Sequence, residues 1–197
     1  LDVPNKGYNR HYKYLRELKI PVPPKIEQQK IASILTTVQD AIEQTEAVIQ
    51  ATRELKKSMM KHLFTYGPVP VGQTDQVELK ETEIGEIPEE WKIHKLDKFC
   101  SFTTGKLNAN EAKENGKYPF FTCAQETYKI DKYAFDCQAI LLAGNNANGI
   151  YSVKHYKGKF NAYQRTYVIS IMEEENLEYE YLKYALETRL NFLQTVS

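Results

Sequence analysis

Residues 25–66 have the sequence KIEQQKIASILTTVQDAIEQTEAVIQATRELKKSMMKHLFTY, which contains neither glycine nor proline. Apolar and threonine side chains recur in it at alternating steps of four and three residues, the spacing of a coiled-coil seam. A phase shift near Leu55 is a discontinuity of the kind that changes supercoiling locally. The pattern predicts one long helix, about 60 Å in length. We expect it to pair with another helix through the seam residues Ile31, Leu35, Val38, Ile42, Ile49, Leu55, Met59 and Leu63.

The alternative interpretation of this seam is a buried helix of an ordinary globular domain. Such a helix needs packing partners along its whole length, and the rest of the chain is too compact to supply them. Thr45 and Thr52 occupy polar positions of the seam. These threonines fit a role in setting the register of a helix pair. They fit equally well as polar residues that the seam merely tolerates.

Proline and glycine delimit the helix on both sides. Ile20-Pro21-Val22-Pro23-Pro24 contains three prolines, which favours an extended segment before the helix. Gly67-Pro68 is a strong stop signal. The following residues, up to 90, are rich in proline, glycine and acidic side chains, so we interpret 67–90 as a linker.

The third region, residues 91–197, is rich in strand-forming residues. Four apolar runs bounded by glycine, asparagine or lysine are candidate strands, and an acidic segment with an apolar face is a candidate closing helix. The sequence therefore predicts an α+β protein, a long coiled-coil spacer helix attached to a mixed α/β domain. The candidate strands are Tyr118–Thr122, Ala139–Leu142, Gly149–Val153 and Thr166–Met172, and the candidate closing helix is Asn176–Leu193.

Length and composition restrict the class of protein. The chain has 197 residues, of which 42% are hydrophobic and 26% charged, so it can bury a core and is not wholly disordered. No apolar run approaches the roughly 20 residues of a membrane span. The sequence begins at Leu1 without a basic and apolar leader. We expect a segment from the middle of a longer polypeptide, located in the cytoplasm and without a membrane partner.

The net charge of zero is a cancellation between segments. Residues 1–25 carry six basic and two acidic side chains, and residues 67–90 carry one basic and seven acidic. Residues 91–170 carry twelve basic and six acidic side chains. Residues 91–170 are therefore basic although the whole chain is neutral, and a basic segment can bind an anionic partner such as nucleic acid.

Several enzyme signatures are missing. Gly144–Gly149 has the outer spacing of a phosphate-binding loop, but Ile150 and Tyr151 stand where lysine and serine or threonine are required. Tyr118-Pro119-Phe120-Phe121 is only partly similar to the amino-methyltransferase motif, because the asparagine and second proline are absent. Three cysteines and four scattered histidines lack the spacing of a zinc site. We therefore expect no catalytic residue, no metal site and no cofactor.

What remains is a surface suited to recognition, in which amide, hydroxyl, aromatic and basic side chains alternate. Lysine and arginine neutralise phosphates, while asparagine, glutamine and arginine offer paired groups to base edges. Asparagine, glycine and lysine are also ordinary turn residues, so the alternative is a set of surface turns. The candidate DNA-binding residues are Thr104, Lys106, Asn108, Asn145, Asn146, Asn148, Lys154, Lys157, Lys159, Tyr163, Gln164 and Arg165.

Two motifs carry a resemblance to a known family. Leu18–Leu35, with its Ile-Pro-Val-Pro-Pro element before Glu27-Gln28 and a helix, resembles the start of the spacer helix in specificity subunits of type I restriction–modification systems. Ile84–Trp91 resembles the start of the target recognition domain in the same family. Further similar segments are Lys95-Leu96, Thr104-Gly105, Gly116–Phe121, Ala139–Gly149, Gly158–Phe160 and Tyr163–Thr166.

The resemblance implies a sequence-specific reader of double-stranded DNA that is not itself an enzyme. In that family methyltransferase (M) and restriction (R) subunits assemble around the reader, which directs adenine methylation and restriction. It also implies the organisation of the chain: 1–24 is the tail of a recognition domain, 25–66 the spacer helix, 67–90 the linker and 91–197 a target recognition domain. Base-reading residues in the family vary with the target, so none is transferred here.

The ends of the chain suggest how copies assemble. Two helices paired antiparallel about a two-fold axis bring the tail of each copy to the recognition domain of the other. We therefore expect a homodimer with exchanged tails that recognises a palindromic split site. The alternatives are a coiled-coil scaffold, or an accessory domain of a DNA methyltransferase without sequence specificity of its own.

Overall fold

The structure is a computed structural model that describes residues 12–144, 151–173 and 176–190. The chain divides into two compact units, Leu1–Leu55 and Lys56–Ser197. Within the described residues, none of the helices has the length and apolarity that crossing a membrane would require.

The first unit is a short helix α1 (Tyr12–Leu15), an extended segment, and most of helix α2 (Lys25–Tyr66). The prolines act as the sequence predicts. The Pro24 carbonyl accepts the first backbone hydrogen bonds of α2, and the Gln28 side chain donates to the Pro23 carbonyl at 2.7 Å. The first of these contacts pairs backbone amides at the helix N-terminus, where the first amides lack partners within the helix, and the second fixes the chain before the helix. The helix thus begins and ends at the predicted residues.

Helix α2 buries none of its residues. The eight seam side chains are between 41% and 63% exposed, whereas a packed helix would hide this face. The hydroxyls of Thr45 and Thr52 donate to the carbonyls of Ala41 and Val48, four residues earlier, at 2.7 and 2.8 Å. These threonines are therefore satisfied within their own helix, and a polar partner across the seam is not needed to explain them. The coiled-coil pairing itself stays a prediction.

Residues 67–90 are more structured than the predicted linker. They contain a 3₁₀ helix (Val71–Gln76) and an antiparallel hairpin of strands β1 (Leu79–Lys80) and β2 (Ile87–Pro88). The hairpin closes through Thr82, whose backbone and hydroxyl bond Gly85. Ile87 and Pro88 are buried, so this segment packs onto the rest of the second unit.

A six-stranded mixed sheet forms the body of the second unit, with the strand order β3-β8-β6-β7-β4-β5. All neighbours pair antiparallel except β4 and β7, which are parallel. Three predicted strands fall on β4, β6 and β8. The fourth, Gly149–Val153, overlaps β7 only at Val153, because Tyr151 and Ser152 are not in a strand, and the sequence did not predict β3, β5 or the rest of β7. The bounds are β3 Cys100–Thr104, β4 Tyr118–Phe121, β5 Tyr128–Ile130, β6 Phe135–Ala143, β7 Val153–Ala162 and β8 Thr166–Ile171. Residues 149–150 of one predicted strand lie outside the described residues.

The sheet is strongly curled. Ala162 lies beyond the Phe135 end of β6, while Thr166 pairs with Ala143 at the opposite end. If β6 were straight, its nine residues would separate these two ends by about 27 Å. The four residue steps from Ala162 to Thr166 span at most about 14 Å. The strands must therefore bend back on themselves. Gly105, at the end of β3, accordingly lies against the Ala162 carbonyl, although β8 and β6 stand between β3 and β7 in the sheet order.

Side chains alternate between two apolar clusters across the sheet, as strand periodicity requires. Ala139 and Leu141 of β6 pack with Phe121 and Phe160 on one face. Ile140 and Leu142 pack on the other face with Leu182 and Leu186 of helix α3 (Tyr179–Glu187). Helix α3 is shorter than the predicted Asn176–Leu193, and residues 191–193 lie outside the described residues.

Polar contacts fix α3 to the sheet. The Tyr179 hydroxyl donates to the Gln138 carbonyl at 2.9 Å and accepts from the Ile171 amide at 3.0 Å. The Tyr179 ring stacks on His155, whose Nδ1 lies 2.6 Å from a Glu180 carboxylate oxygen. The hydrogen bond from His155 holds the pKa of Glu180 below its ordinary value.

We expect Gly105→Ala to destabilise the second unit. A Cβ on Gly105 would lie 1.8 Å from the Ala162 carbonyl oxygen, and a backbone atom cannot move aside as a flexible side chain can. The free energy of unfolding should fall by about 3 kcal/mol, measured by urea denaturation. The matched control is Gly72→Ala, where a Cβ would meet nothing within 4 Å and the change should stay within about 0.5 kcal/mol. Equal stability of the two variants would contradict the close approach.

Candidate nucleic-acid interface

The three residues Tyr163–Arg165, which we call the link, join β7 to β8 and gather other segments around them. The Tyr163 amide donates to the Phe121 carbonyl at the end of β4, at 2.8 Å. The Gln164 amide donates to the Leu107 carbonyl at 3.0 Å, and Leu107 and Tyr163 form an isolated parallel bridge. The link thus places the residues after β3 and the residues after β4 side by side.

Two predicted site residues meet directly at the link. The Gln164 side-chain nitrogen donates to the Asn108 side-chain oxygen at 3.3 Å, and both residues are exposed. Asn108 is held in place because it caps the 3₁₀ helix Ala109–Glu111. Its backbone N–H donates to the Glu111 carboxylate at 3.1 Å. The two amides therefore present fixed donors and acceptors to solvent, with geometry set by the backbone.

Arg165 connects the link to Gly144, the residue that follows β6. Its carbonyl accepts from the Gly144 amide at 2.9 Å, and its guanidinium is exposed. The Arg165 charge lowers the pKa of the Cys123 thiol, although burial is the larger effect and raises it above its ordinary value. The predicted residues Asn145, Asn146 and Asn148 come after Gly144 in sequence, and they lie outside the described residues.

The remaining predicted residues near the link are Thr104 and Lys106. Thr104 is half-buried at the end of β3, and Lys106 is exposed between Gly105 and Leu107. Within the described parts of the chain, neither Lys106 nor Arg165 has an ion-pair partner. The link cluster, defined as Thr104, Lys106, Asn108, Tyr163, Gln164 and Arg165, therefore combines two uncompensated cations with two exposed amides.

Lys154 has a structural role. Its ammonium donates to the carbonyls of Ala124 and Glu126 at 3.2 and 3.1 Å and to the Thr127 hydroxyl at 3.3 Å. These contacts use all three donors of the ammonium. Burial lowers the pKa of Lys154 below its ordinary value. This lysine fastens the loop after β4 and is not free to reach a phosphate, so we do not retain it as a DNA contact.

Lys157 and Lys159 lie on the opposite face of β7 from Lys154. Their partners across the strand pair are Gln138 and Asp136, whereas Lys154 faces Leu141. Lys159 lies 4.7 Å from the centre of the Tyr133 ring and 3.9 Å from an Asp136 carboxylate oxygen. Lys157 is exposed, and it has no side-chain partner in the described ranges. The structure therefore places these two lysines on the face of β7 away from Lys154.

Two aromatic residues beside the cluster escaped the sequence analysis. Tyr167 pairs with Thr104 across β8 and β3, and it is 48% exposed; Phe102 on the same face of β3 is 49% exposed. Exposed rings of this kind can stack on bases. Strand periodicity could have indicated Tyr167, because neighbouring side chains of a strand face opposite sides. Thr166 and Val168 are buried, and Tyr167 between them faces solvent.

A family model described as "Type I restriction modification DNA specificity domain" matches residues 9–52 and 88–197. The chain is similar to the EcoDI specificity subunit of a type I restriction enzyme from Escherichia coli, with 54% identity over 85 residues, covering 43% of this chain and 18% of the relative. It is also similar to the MjaVIII specificity subunit of a type I restriction enzyme from Methanocaldococcus jannaschii, with 38% identity over 105 residues, covering 53% of this chain and 24% of the relative.

A solved structure shares the fold. The S subunit of a type I restriction–modification system from M. genitalium superposes with a TM-score of 0.60 at 17% identity, covering 87% of this chain and 44% of that one. At this identity the likeness concerns the fold alone. The chain spans a quarter or less of the two curated relatives and less than half of this S subunit.

The role of Lys154 predicts a specific loss of stability. Lys154→Met removes three hydrogen bonds and leaves the Ala124 and Glu126 carbonyls without their donor. The free energy of unfolding should fall by about 1–3 kcal/mol in urea denaturation. Lys157→Met, at an exposed position of the same strand, is the control and should change it by less than about 0.5 kcal/mol. If both variants unfold alike, Lys154 does not have this role.

Proposed function

Because the chain belongs to the family of type I restriction modification DNA specificity domains, we propose that its second unit recognises double-stranded DNA by sequence. The observation that carries this proposal is the link cluster. It sets paired amides beside uncompensated cations at one edge of a rigid sheet. Rigid placement matters, because base readout depends on donor and acceptor positions.

Within the cluster, Gln164, Asn108 and Arg165 are the proposed base-reading side chains. Asparagine and glutamine can bond the N6 and N7 edge of adenine, and arginine can bond the O6 and N7 edge of guanine, each with two hydrogen bonds. Asn145, Asn146 and Asn148 are proposed to join them, since they follow Gly144 in sequence and the Gly144 amide donates to the Arg165 carbonyl. Tyr163 and Thr104 would supply flanking contacts.

Lys106, Lys157 and Lys159 are the proposed phosphate contacts. Phosphate contacts position a protein on the duplex without reading sequence, and they make affinity fall with salt. All three side chains are exposed, and Lys106 and Lys157 have no partner within the described segments. The ammonium groups of Lys106 and Lys157 can therefore bind phosphates without first breaking internal contacts, whereas Lys159 would leave Asp136 and the Tyr133 ring.

We propose that chemistry on the DNA is carried out by methyltransferase and restriction subunits, with this chain acting as the reader that brings them to their site. The family's name concerns specificity, and the curated relatives are named as specificity subunits of restriction enzymes. Adenine methylation and cleavage would then depend on partners that bind the reader.

The seam of α2 supports the further proposal of a homodimer through antiparallel helices. Its eight apolar side chains are about half exposed, and burying the exposed half of each would contribute about 1 kcal/mol. An antiparallel pair with two-fold symmetry would hold two identical recognition units at opposite ends of a spacer. Such a dimer suits a palindromic split site.

The DNA proposal predicts two distinguishable classes of variant. Gln164→Ala or Arg165→Ala should relax base preference by about 1–3 kcal/mol per lost contact pair. Lys157→Ala with Lys159→Ala should weaken binding equally on all sequences and reduce the salt slope by about 2. Both are measured by titrating duplexes selected from a random pool at several salt concentrations.

The matched control for the lysine pair is Lys30→Ala with Lys57→Ala on helix α2, which removes the same charge outside the sheet. Binding that does not change between low and moderate salt would exclude the proposed function. It would favour a coiled-coil scaffold, for which the exposed seam is the supporting observation.

The seam predicts a change in assembly. Ile49→Asp places a charge where the partner helix should bury an isoleucine, so the dimer should dissociate at micromolar concentration. Sedimentation velocity measures the change from dimer to monomer. The control is Ala47→Asp, an exposed position on the opposite side of the helix, which should leave the dimer intact. A dimer that survives Ile49→Asp would rule out this seam as the interface.

A further inference from the structure

A groove opens where helix α2 ends. Gly67 adopts a left-handed conformation at φ +79°, which ends the helix, and its amide donates to the Leu63 carbonyl at 3.1 Å. The His62 Nε2–H donates to the Val69 carbonyl at 2.7 Å, which holds the chain after the turn. Hairpin β1–β2 forms the opposite wall, and the space between has a volume of about 660 Å³. We call it the junction groove.

The lining of the junction groove is aromatic and rich in proline. Tyr66 and Trp91 contribute rings, and Pro68 and Pro88 contribute flat apolar edges. The Trp91 ring lies 3.5 Å from the position a Cβ would take on Gly67. The indole N–H of Trp91 has no hydrogen-bond partner in the described residues. The groove therefore offers ring faces together with one available donor.

Carboxylates surround these rings. Glu78, Glu89 and Glu90 line the groove and are exposed, and the segment 67–90 as a whole carries seven acidic side chains against one basic. A ligand that fits must be apolar where it meets the rings and positively charged at its ends. This combination matches an extended, proline-rich peptide with flanking lysines, because such peptides bind aromatic grooves in a preformed extended conformation.

The chain itself contains a segment of this chemistry. Leu18–Lys25 has the sequence LKIPVPPK, with three prolines between Lys19 and Lys25. Residues 18–24 have no regular secondary structure, and Leu18, Ile20 and Val22 are 52%, 75% and 75% exposed. Alternate exposed apolar residues on an extended backbone are what a groove-binding segment requires.

We propose that the junction groove binds Leu18–Lys25 of a second copy of this chain. The inference rests on the proposed antiparallel dimer, and it adds the site at which each tail is held. Within one copy, the segment precedes helix α2 in sequence and the groove follows it, and 42 helical residues correspond to a length of about 63 Å. Antiparallel pairing instead places the start of one helix beside the end of the other.

The contacts follow from the chemistry of both sides. Prolines 21, 23 and 24 lie on the faces of Tyr66 and Trp91. The Pro23 and Pro24 carbonyls already accept hydrogen bonds within their own chain, so a carbonyl of residues 18–22 accepts the Trp91 indole N–H. Lys19 and Lys25 lie near Glu78, Glu89 and Glu90. Each dimer contains the whole set twice, which doubles the effect of any substitution.

A charge exchange tests the proposal. Lys19→Glu and Glu90→Lys each place like charges together at both sites of a homodimer, so each alone should raise the dimer dissociation constant about tenfold. An equimolar mixture of the two variants forms a heterodimer in which both sites regain opposite charges. Sedimentation of the mixture should therefore return the wild-type dissociation constant. Control variants are Lys30→Glu on α2 and Glu83→Lys at the hairpin turn, which change the same charges outside the contact.

The fluorescence of Trp91 reports the groove directly, because it is the only tryptophan of the chain. Docking of the tail should shift its emission to shorter wavelength as the protein is concentrated from monomer to dimer. Ile20→Ser should abolish that shift. A dimer that forms normally without any change in Trp91 emission, or a mixture that fails to recover, would overturn this inference and leave the seam and DNA binding standing. Failure to dimerise at all would overturn the seam and this inference together.

Discussion

The short link between β7 and β8 is the constraint on which the fold of the second unit depends. Three residues must connect points that a flat sheet would hold about 27 Å apart, so the sheet curls until β3 touches β7. That closure needs a residue without a side chain at Gly105. It also brings the residues after β3, β4 and β6 to one edge. The candidate site is therefore a consequence of the curl, since none of its segments is adjacent to the others in sequence.

The sequence predicts local features well where a repeating pattern is long. Helix α2 begins at Lys25 and ends at Tyr66 as the prolines, Gly67 and the seam spacing require. Strand β7 was missed because its sequence, VKHYKGKFNA, alternates lysines with aromatic residues and does not resemble a buried strand. It forms a strand because β6 and β4 pair with it on both sides. That information lies in distant residues, so a local pattern cannot supply it.

The candidate site shows the same limit at the level of side chains. Gln164 and Asn108 were both chosen for their amide chemistry, but their contact joins residues 56 positions apart and follows only from the curl. Lys154 was chosen by the same chemical argument as Lys157. The two differ because carbonyls of the loop after β4 surround the Lys154 ammonium, while Lys157 remains exposed. Residue type identifies which groups can bind DNA, and tertiary structure decides which of them are free to do so.

The chain has zero net charge, but its acidic and basic side chains are unevenly distributed along the sequence. The acidic side chains concentrate in segment 67–90, around the junction groove, while residues 91–170 are basic. Because carboxylates repel a phosphate backbone, the proposed DNA contact is favoured at residues 91–170 and disfavoured at the junction groove. In the proposed dimer, the same carboxylates would attract the basic segment before α2. The two proposed contacts therefore use surfaces of opposite charge and do not compete with each other.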